Sequence, residues 1–175
     1  MEEKSTSVWK STMLSGVYLA IALILLSVVF YVTGNTFSKT AQYLTYPIFI
    51  AGIIWGQITY KKELRGFATY GQMFVAGLLT MLFASILSSI YTYILYSFID
   101  PSLQEQLRIF TEEQMIVQGK VSEEQMEMAL KMTAKFQTPM MMSIMGIVMG
   151  TIFGAVISLI TAIFTKKNPS DQVPE

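Results

Sequence analysis

The stretch GIVMGTIFGAVISLITA, residues 146–162, repeats a small side chain at every fourth position. These positions are Gly146, Gly150, Gly154, Ser158 and Ala162. Glycine inside a helix in water costs roughly 1 kcal/mol relative to alanine, so three glycines on one stripe require a compensating gain. A lipid bilayer provides this compensating gain, because membrane helices associate by close packing and small residues let two backbones approach. The stretch therefore predicts a membrane helix with a small-residue face.

Four long runs of the chain carry no charged residue, and they cover 12–33, 40–60, 66–99 and 136–165. About 20 residues of helix, at about 1.5 Å each, cross a hydrocarbon core. We therefore predict an all-α integral membrane bundle that forms a single domain over 1–175. Its four transmembrane helices are predicted at about 12–33, 41–60, 70–98 and 139–165, with a short external helical cap over 100–137. A signal peptide is the alternative for the first run, but the run is too long and lacks a small-x-small cleavage site.

Composition excludes several classes of function. Twelve basic residues balance twelve acidic ones, whereas a nucleic-acid-binding protein concentrates basic residues on one face. The chain has no cysteine and no histidine, which removes disulfides, thiolate or imidazole zinc sites and Cys–His nucleophile pairs. The charge-free runs supply no catalytic acid or base. We therefore expect no enzymatic activity, no cofactor and no nucleic-acid partner.

The distribution of basic residues predicts the orientation of the chain in a membrane. One side of the predicted spans has seven: Lys4, Lys10, Lys61, Lys62, Arg65, Lys166 and Lys167. The other side has five: Lys39, Arg108, Lys120, Lys131 and Lys135. The more basic side is the cytoplasmic one. We therefore expect both termini in the cytoplasm and residues 100–135 outside.

The small-residue faces have two possible partners. The second predicted helix carries a shorter stripe at Gly52 and Gly56, comparable to the one at Gly146, Gly150, Gly154 and Ser158. The favoured interpretation is packing among the helices of one bundle. The alternative is docking of a second copy or of another membrane protein on these faces. A pore lined by the stripe is the least favoured, because glycine offers no side chain for selectivity.

The external segment contains its own helix signals. Asp100-Pro101 pairs a capping residue with a proline suited to the first turn, which predicts a short helix over 101–109. TEEQM at 111–115 returns as SEEQM at 122–126, and both fit the start of a helix. Gly119 suits the turn between them. We expect an amphipathic last helix that lies on the membrane or folds over the bundle.

Methionines are concentrated near the fourth predicted helix. Met141, Met145 and Met149 share one helix face, and thioethers are soft ligands that suit Cu(I). The favoured interpretation is packing, because methionine fills irregular gaps and forms helices well. We therefore expect no metal site and keep these three residues only as candidates for Cu(I).

Three segments carry a resemblance to a known family: TYGQMF at 69–74, YTYILYSFIDP at 91–101 and GAVISLITAIFTKK at 154–167. With the four-span layout, the chain resembles the membrane proteins grouped as domain of unknown function 4199, found chiefly in Bacteroidota. The resemblance covers nearly the whole chain and implies a bacterial inner-membrane protein. It carries over no activity and no catalytic residue.

The predicted spans contain no ionisable residue of the kind that ion-coupled transporters keep inside the membrane. We expect a non-catalytic scaffold or accessory subunit, surrounded by the lipid bilayer, that packs through its small-residue faces. The alternative is a small transporter or channel for a weakly polar solute. Ser88, Tyr91 and Tyr93 would then be the residues that affect flux.

Overall fold

The computed structural model describes residues 8–118 and 123–167, and this part of the chain is all-helical. Six α-helices follow one another: α1 (Val8–Val32), α2 (Lys39–Glu63), α3 (Tyr70–Ile94), α4 (Leu103–Gln118), α5 (Glu123–Phe136) and α6 (Pro139–Thr165). A π-helical segment, Leu95–Ile99, continues α3. One isolated antiparallel bridge joins Ala68 to Lys167.

The chain divides into two compact units. Among the described residues, unit 1 comprises 8–88 and 147–167, and therefore holds α1, α2, most of α3 and most of α6. Unit 2 comprises 89–118 and 123–146, with the end of α3, the π-helical segment, α4, α5 and the start of α6.

Three helical stretches are long and apolar enough to cross a membrane: Val8–Val32, Tyr70–Ile99 and Pro139–Thr165. The prediction of four spans is therefore corrected to three candidates within the described residues. The helix that falls short is α2, although its 25 residues equal the length of α1. Its charge-free run contains Pro47, Gln57 and several tyrosines and threonines, which lower its hydropathy without adding charge. Absence of charge is thus a weaker indication of a membrane span than high hydropathy.

Local hydrogen bonds fix where the helices begin. The hydroxyl of Ser38 accepts from the backbone N–H of Ala41 and caps α2. A reciprocal capping box starts α3, because the N–H of Thr69 donates to the Gln72 side chain and the N–H of Gln72 donates to the Thr69 hydroxyl. Pro139 occupies the first position of α6, where the N–H it lacks would have no partner in the helix. Pro139 therefore marks the start of α6 and does not interrupt a longer helix.

A Schellman motif ends α2. The N–H of Gly66 donates to the carbonyl oxygen of Lys61 at 3.0 Å, and the N–H of Arg65 donates to that of Lys62 at 3.2 Å. Such a motif requires a left-handed residue directly after the cap residue, Leu64, and this position usually belongs to glycine. Here it is Arg65, with φ of 59°, followed by Gly66 with φ of 89°.

Unit 1 is built around α3. Half of its candidate span is buried, whereas the spans of α1 and α6 are each 22% buried. One core cluster comprises Leu19, Ala20, Ile53, Met81 and Ala84 and so joins α1, α2 and α3. A second comprises Tyr60, Ala68, Met73, Ala76 and Ala162, with Val8 packed against it. The outward faces of α1 and α6 are rich in exposed apolar side chains, as expected of helices surrounded by lipid.

In unit 2, α4 is longer than the sequence predicts. It runs from Leu103 to Gln118 without a break at the TEEQM segment. Thr111 was expected to cap a new helix, but its hydroxyl donates instead to the carbonyl oxygen of Leu107, one turn back. The side-chain amide of Gln137 donates to the same hydroxyl at 2.9 Å. Gly119 and Ser122, the expected turn and second cap, lie outside the described residues.

Candidate functional site

The small-residue stripe of α6 faces α3 where it lies in unit 1. A Cβ added at Gly150 would collide with the hydroxyl of Ser85, and one added at Gly154 would collide with the side chain of Met81. Ser158 is fully buried. In unit 2, a Cβ at Gly146 would lie 2.9 Å from the hydroxyl of Ser89. The glycines of the stripe therefore stand against side chains of α3.

The two glycines of α2 are also occupied by neighbouring helices. A Cβ at Gly52 would collide with Leu19 of α1, and one at Gly56 would collide with Thr80 of α3. The sequence analysis missed two further close approaches. A Cβ at Gly16 would lie 2.8 Å from the carbonyl oxygen of Thr80, and one at Gly77 would lie 2.8 Å from Nε2 of Gln57. Small residues on all four helices of unit 1 thus allow close contact between them.

Gln57 links three helices of unit 1. Its side chain is fully buried, and Nε2 donates to the carbonyl oxygen of Met73 on α3 at 3.1 Å. Its Oε1 accepts from the hydroxyl of Thr165 on α6, also at 3.1 Å. A buried amide in an apolar bundle is costly unless it is hydrogen-bonded, and these two bonds provide partners on separate helices. Gln57 is one of two glutamines in the charge-free run 40–60, and the sequence alone does not indicate which of them is buried between helices.

Buried hydroxyls also occur on α1, α3 and α6 of unit 1. Thr12, Thr80 and Thr161 each donate to a carbonyl oxygen one turn earlier in their own helix, which satisfies them locally. Three buried serine hydroxyls have no hydrogen-bond partner within the described residues: Ser11, Ser85 and Ser158. A buried hydroxyl without a partner loses its hydration, so a polar group that reached one of these atoms would gain a hydrogen bond.

We define the polar seam as these buried side chains of unit 1: Ser11, Thr12, Gln57, Thr80, Ser85, Ser158, Thr161 and Thr165. All four helices contribute to it, and none of its members is ionisable. Such groups can accept and donate hydrogen bonds, but they supply no acid, base or charged ligand at neutral pH. The seam is therefore suited to joining helices and to contacting uncharged polar molecules.

The comparisons with known proteins bear on the chain as a whole. A family model described as "Protein of unknown function (DUF4199)" matches residues 14–167. The chain belongs to this family. The match begins within α1, after Ser11 and Thr12 of the polar seam, and covers α2, α3, α6 and the α4–α5 segment. Searches of curated proteins and of solved structures found no match.

The other candidates in this DUF4199 protein are more exposed. Met145 and Met149 are 40% and 55% exposed, and Met141 is half-buried. Within the described residues, no group of three or more His, Cys, Asp or Glu side chains is placed to hold a metal ion. Tyr93 is exposed, whereas Tyr91 is half-buried. These residues thus lie outside the polar seam.

The α4–α5 segment of unit 2 carries the ion pairs. Arg108 pairs with Glu105 at 2.6 Å and lies 3.9 Å from Glu112, while Lys131 pairs with Glu127 at 2.7 Å. The hydrogen bond from Arg108 lowers the pKa of the Glu105 carboxyl, and the positive charge acts in the same direction. These pairs are solvent-exposed and contribute little to stability. One side of each of these two helices therefore carries charged, exposed side chains.

Proposed function

We propose that this DUF4199 protein is an integral protein of the bacterial inner membrane without catalytic activity, and that it acts as a scaffold or accessory subunit. The observation that carries the proposal is the polar seam, which contains one amide and seven hydroxyls but no acid or base. Catalysis requires a nucleophile, a general acid or base, or a metal, and the seam offers only weakly polarised hydroxyls.

The filled small-residue faces affect where a partner would bind. Because Gly150, Gly154, Gly52 and Gly56 already stand against other helices of the chain, docking there would require the bundle to open. The exposed row on α5 is free of that restriction. Met128, Met132 and Phe136 lie four residues apart and are 61%, 60% and 52% exposed. Exposed apolar clusters of this kind are typical of interaction surfaces. We therefore assign partner binding to α5.

The membrane topology is part of the proposal. We infer that α2 enters the membrane together with the three apolar helices, held there by its contacts with α1, α3 and α6. Its polar Gln57 has partners on two of those helices, so its lower hydropathy is offset by protein contacts. Four helices at membrane depth leave both termini on one side, which the basic residues identify as the cytoplasm.

Single-cysteine labelling tests this topology directly, because the chain has no cysteine of its own. We expect Asn35→Cys and Lys62→Cys, at opposite ends of α2, to react with a membrane-impermeant maleimide from opposite sides of the membrane. Glu113→Cys on α4 should react from the same side as Asn35→Cys. Labelling of Asn35→Cys and Lys62→Cys from one side would show that α2 does not cross.

Purification from bacterial membranes in a mild detergent tests the accessory role. We expect a second protein to co-purify, and we expect the double variant Met128→Ser, Met132→Ser to lose it. Lys131→Gln lies on the same helix, is exposed and serves as the matched control that keeps the partner. A monodisperse single chain with no partner would contradict the accessory role.

A transporter for a small uncharged solute is the second candidate, and one specific observation favours it. Ser11, Ser85 and Ser158 are buried hydroxyls without a partner in the described residues, as a path for a polar solute would require. Stopped-flow light scattering of liposomes that contain the protein would detect glycerol or urea flux. Ser85→Ala and Ser158→Ala should change that flux, whereas Ser143→Ala in unit 2 should not. Flux equal to that of protein-free liposomes would exclude this candidate.

A further inference from the structure

One end of unit 1 concentrates positive charge. Five basic residues lie there, and we call them the basic end: Lys61, Lys62, Arg65, Lys166 and Lys167. They come from the last turn of α2, the loop between α2 and α3, and the two residues after α6. In the segments 56–70 and 139–167, the one acidic residue is Glu63. The basic end therefore has a strong excess of positive charge.

Direct contacts bring these segments together. The ammonium group of Lys61 donates to the carbonyl oxygen of Thr165, the last residue of α6, at 2.8 Å. The backbone of Lys167 pairs with that of Ala68 through two hydrogen bonds of 2.9 Å each. The Lys167 ammonium group also lies 5.5 Å from the centre of the Phe67 ring. Lys61 and Lys167 thus join the end of α6 to α2 and to the loop that carries Arg65.

The positive charges of the basic end are not neutralised by the described part of the chain. The ion pairs found among residues 8–118 and 123–167 all lie on α4 and α5. Four of the five side chains are exposed, and Lys61 is half-buried. Like charges held close together repel each other, so an anion of external origin would stabilise this surface.

The position of the basic end indicates which anion is available. The candidate span Tyr70–Ile99 begins five residues after Arg65. The candidate span Pro139–Thr165 ends directly before Lys166 and Lys167. The ends of membrane spans lie at the level of the lipid headgroups. Phosphate groups are therefore the anions present at this depth, and phosphate is also the group that arginine binds in a bidentate manner.

The backbone at Arg65 is a second, independent observation. Its φ of 59° lies in the left-handed region, where a side chain other than glycine or asparagine is strained. Glycine would satisfy the Schellman motif without that strain. Arg65 thus occupies a position that glycine would fill without strain, and the described residues give its guanidinium group no ion-pair partner.

We propose that the basic end binds the phosphate headgroups of anionic phospholipids, with Arg65 as the bidentate contact and Lys62, Lys166 and Lys167 as additional cations. The proposal depends on the membrane location of the chain, but not on the scaffold role. Each cation near an anionic headgroup strengthens binding by about fivefold, so the loss of single residues is measurable.

The test uses the full-length protein in a neutral detergent. Short-chain phosphatidylglycerol is titrated in, and binding is measured by native mass spectrometry, with short-chain phosphatidylcholine and sodium phosphate as separate arms. We expect phosphatidylglycerol to bind at least tenfold more tightly than phosphatidylcholine, and we expect sodium phosphate not to displace it at equal concentration. Equal binding of the two lipids would overturn the proposal, and full displacement by sodium phosphate would assign the site to free phosphate instead.

Variants separate the site from general charge effects. Arg65→Gly should weaken phosphatidylglycerol binding by about fivefold while raising the unfolding temperature in neutral detergent, because the substitution also relieves the left-handed strain. The double variant Lys166→Gln, Lys167→Gln should weaken binding by a larger factor. Lys135→Gln in unit 2 removes one positive charge elsewhere and should leave binding unchanged. Unaltered binding in the first two variants would refute the assignment.

Discussion

Gly16 is the position where one added methyl group has the clearest consequence. It lies in α1, and a Cβ there would sit 2.6 Å from Cβ of Phe83 and 2.8 Å from the carbonyl oxygen of Thr80, both on α3. A backbone carbonyl cannot rotate away as a side chain can. Gly16→Ala must therefore move α1 and α3 apart by several tenths of an ångström. Overpacking of this kind costs about 1–3 kcal/mol.

Gly71 provides a matched control. It lies in the first turn of α3, and a Cβ there would meet no atom within 4 Å. Replacing glycine by alanine favours a helix by at most about 1 kcal/mol, and this gain is common to both variants. The difference in unfolding free energy between Gly16→Ala and Gly71→Ala therefore isolates the packing term. We expect Gly16→Ala to be less stable by about 1–3 kcal/mol.

Tryptophan fluorescence during titration with SDS measures this difference. The ring of Trp9 lies 5.9 Å from that of Phe83, so its emission reports on the same pair of helices. A Trp55→Phe background removes the signal of the second tryptophan. If Gly16→Ala unfolds at the same SDS fraction as Gly71→Ala, or at a higher one, the close approach of α1 and α3 is not as described.

Three further outcomes follow from individual contacts. Gln57→Leu removes bonds to two helices, so SDS titration should show a loss of about 1–2 kcal/mol, and an unchanged midpoint would exclude Gln57 as the link. Lys61→Met removes the donor to the carbonyl oxygen of Thr165, so hydrogen exchange should rise in the last turn of α6. Unchanged protection there would show that this hydrogen bond does not hold the end of α6. Acidification should weaken α4, because the pKa of Glu105 is lowered in the folded state. The stabilisation that its charged carboxylate provides is present above the unfolded-state pKa and is lost as the pH falls through the folded-state pKa. NMR titration should show that Arg108→Gln returns the pKa of Glu105 toward normal; an unchanged pKa would rule out Arg108 as its cause.

The long helices are predictable from the sequence because their signals are local. Absence of charge over 20 or more residues locates α1, α3 and α6, and the Thr-Pro pair at 138–139 marks the start of α6. The same criterion does not distinguish α2 from these three helices, because tyrosine, proline and glutamine lower its hydropathy without adding charge. Absence of charge therefore locates the long helices but does not rank their hydropathy.

The errors in the α4–α5 segment have a different cause. Thr111 has the composition of a helix cap, but a threonine hydroxyl can also bond to the carbonyl oxygen four residues earlier within a continuing helix. A threonine can therefore start a helix or lie within one, and the packing of the neighbouring turns decides which of the two occurs. The side chain of Gln137, 26 residues away, contacts the same hydroxyl, and its position cannot be read from the local sequence.

The pairing of helices depends on long-range contacts in the same way. A glycine stripe predicts close approach but does not specify the helix that approaches, and Gln57 bonds to a threonine 108 residues later in the chain. Faces that the sequence offers for docking are filled by the protein's own helices, so a partner that used them would have to displace α3 from α6. The exposed row on α5 and the basic end require no such opening. They are therefore the surfaces on which binding to proteins and to lipids, respectively, should first be tested.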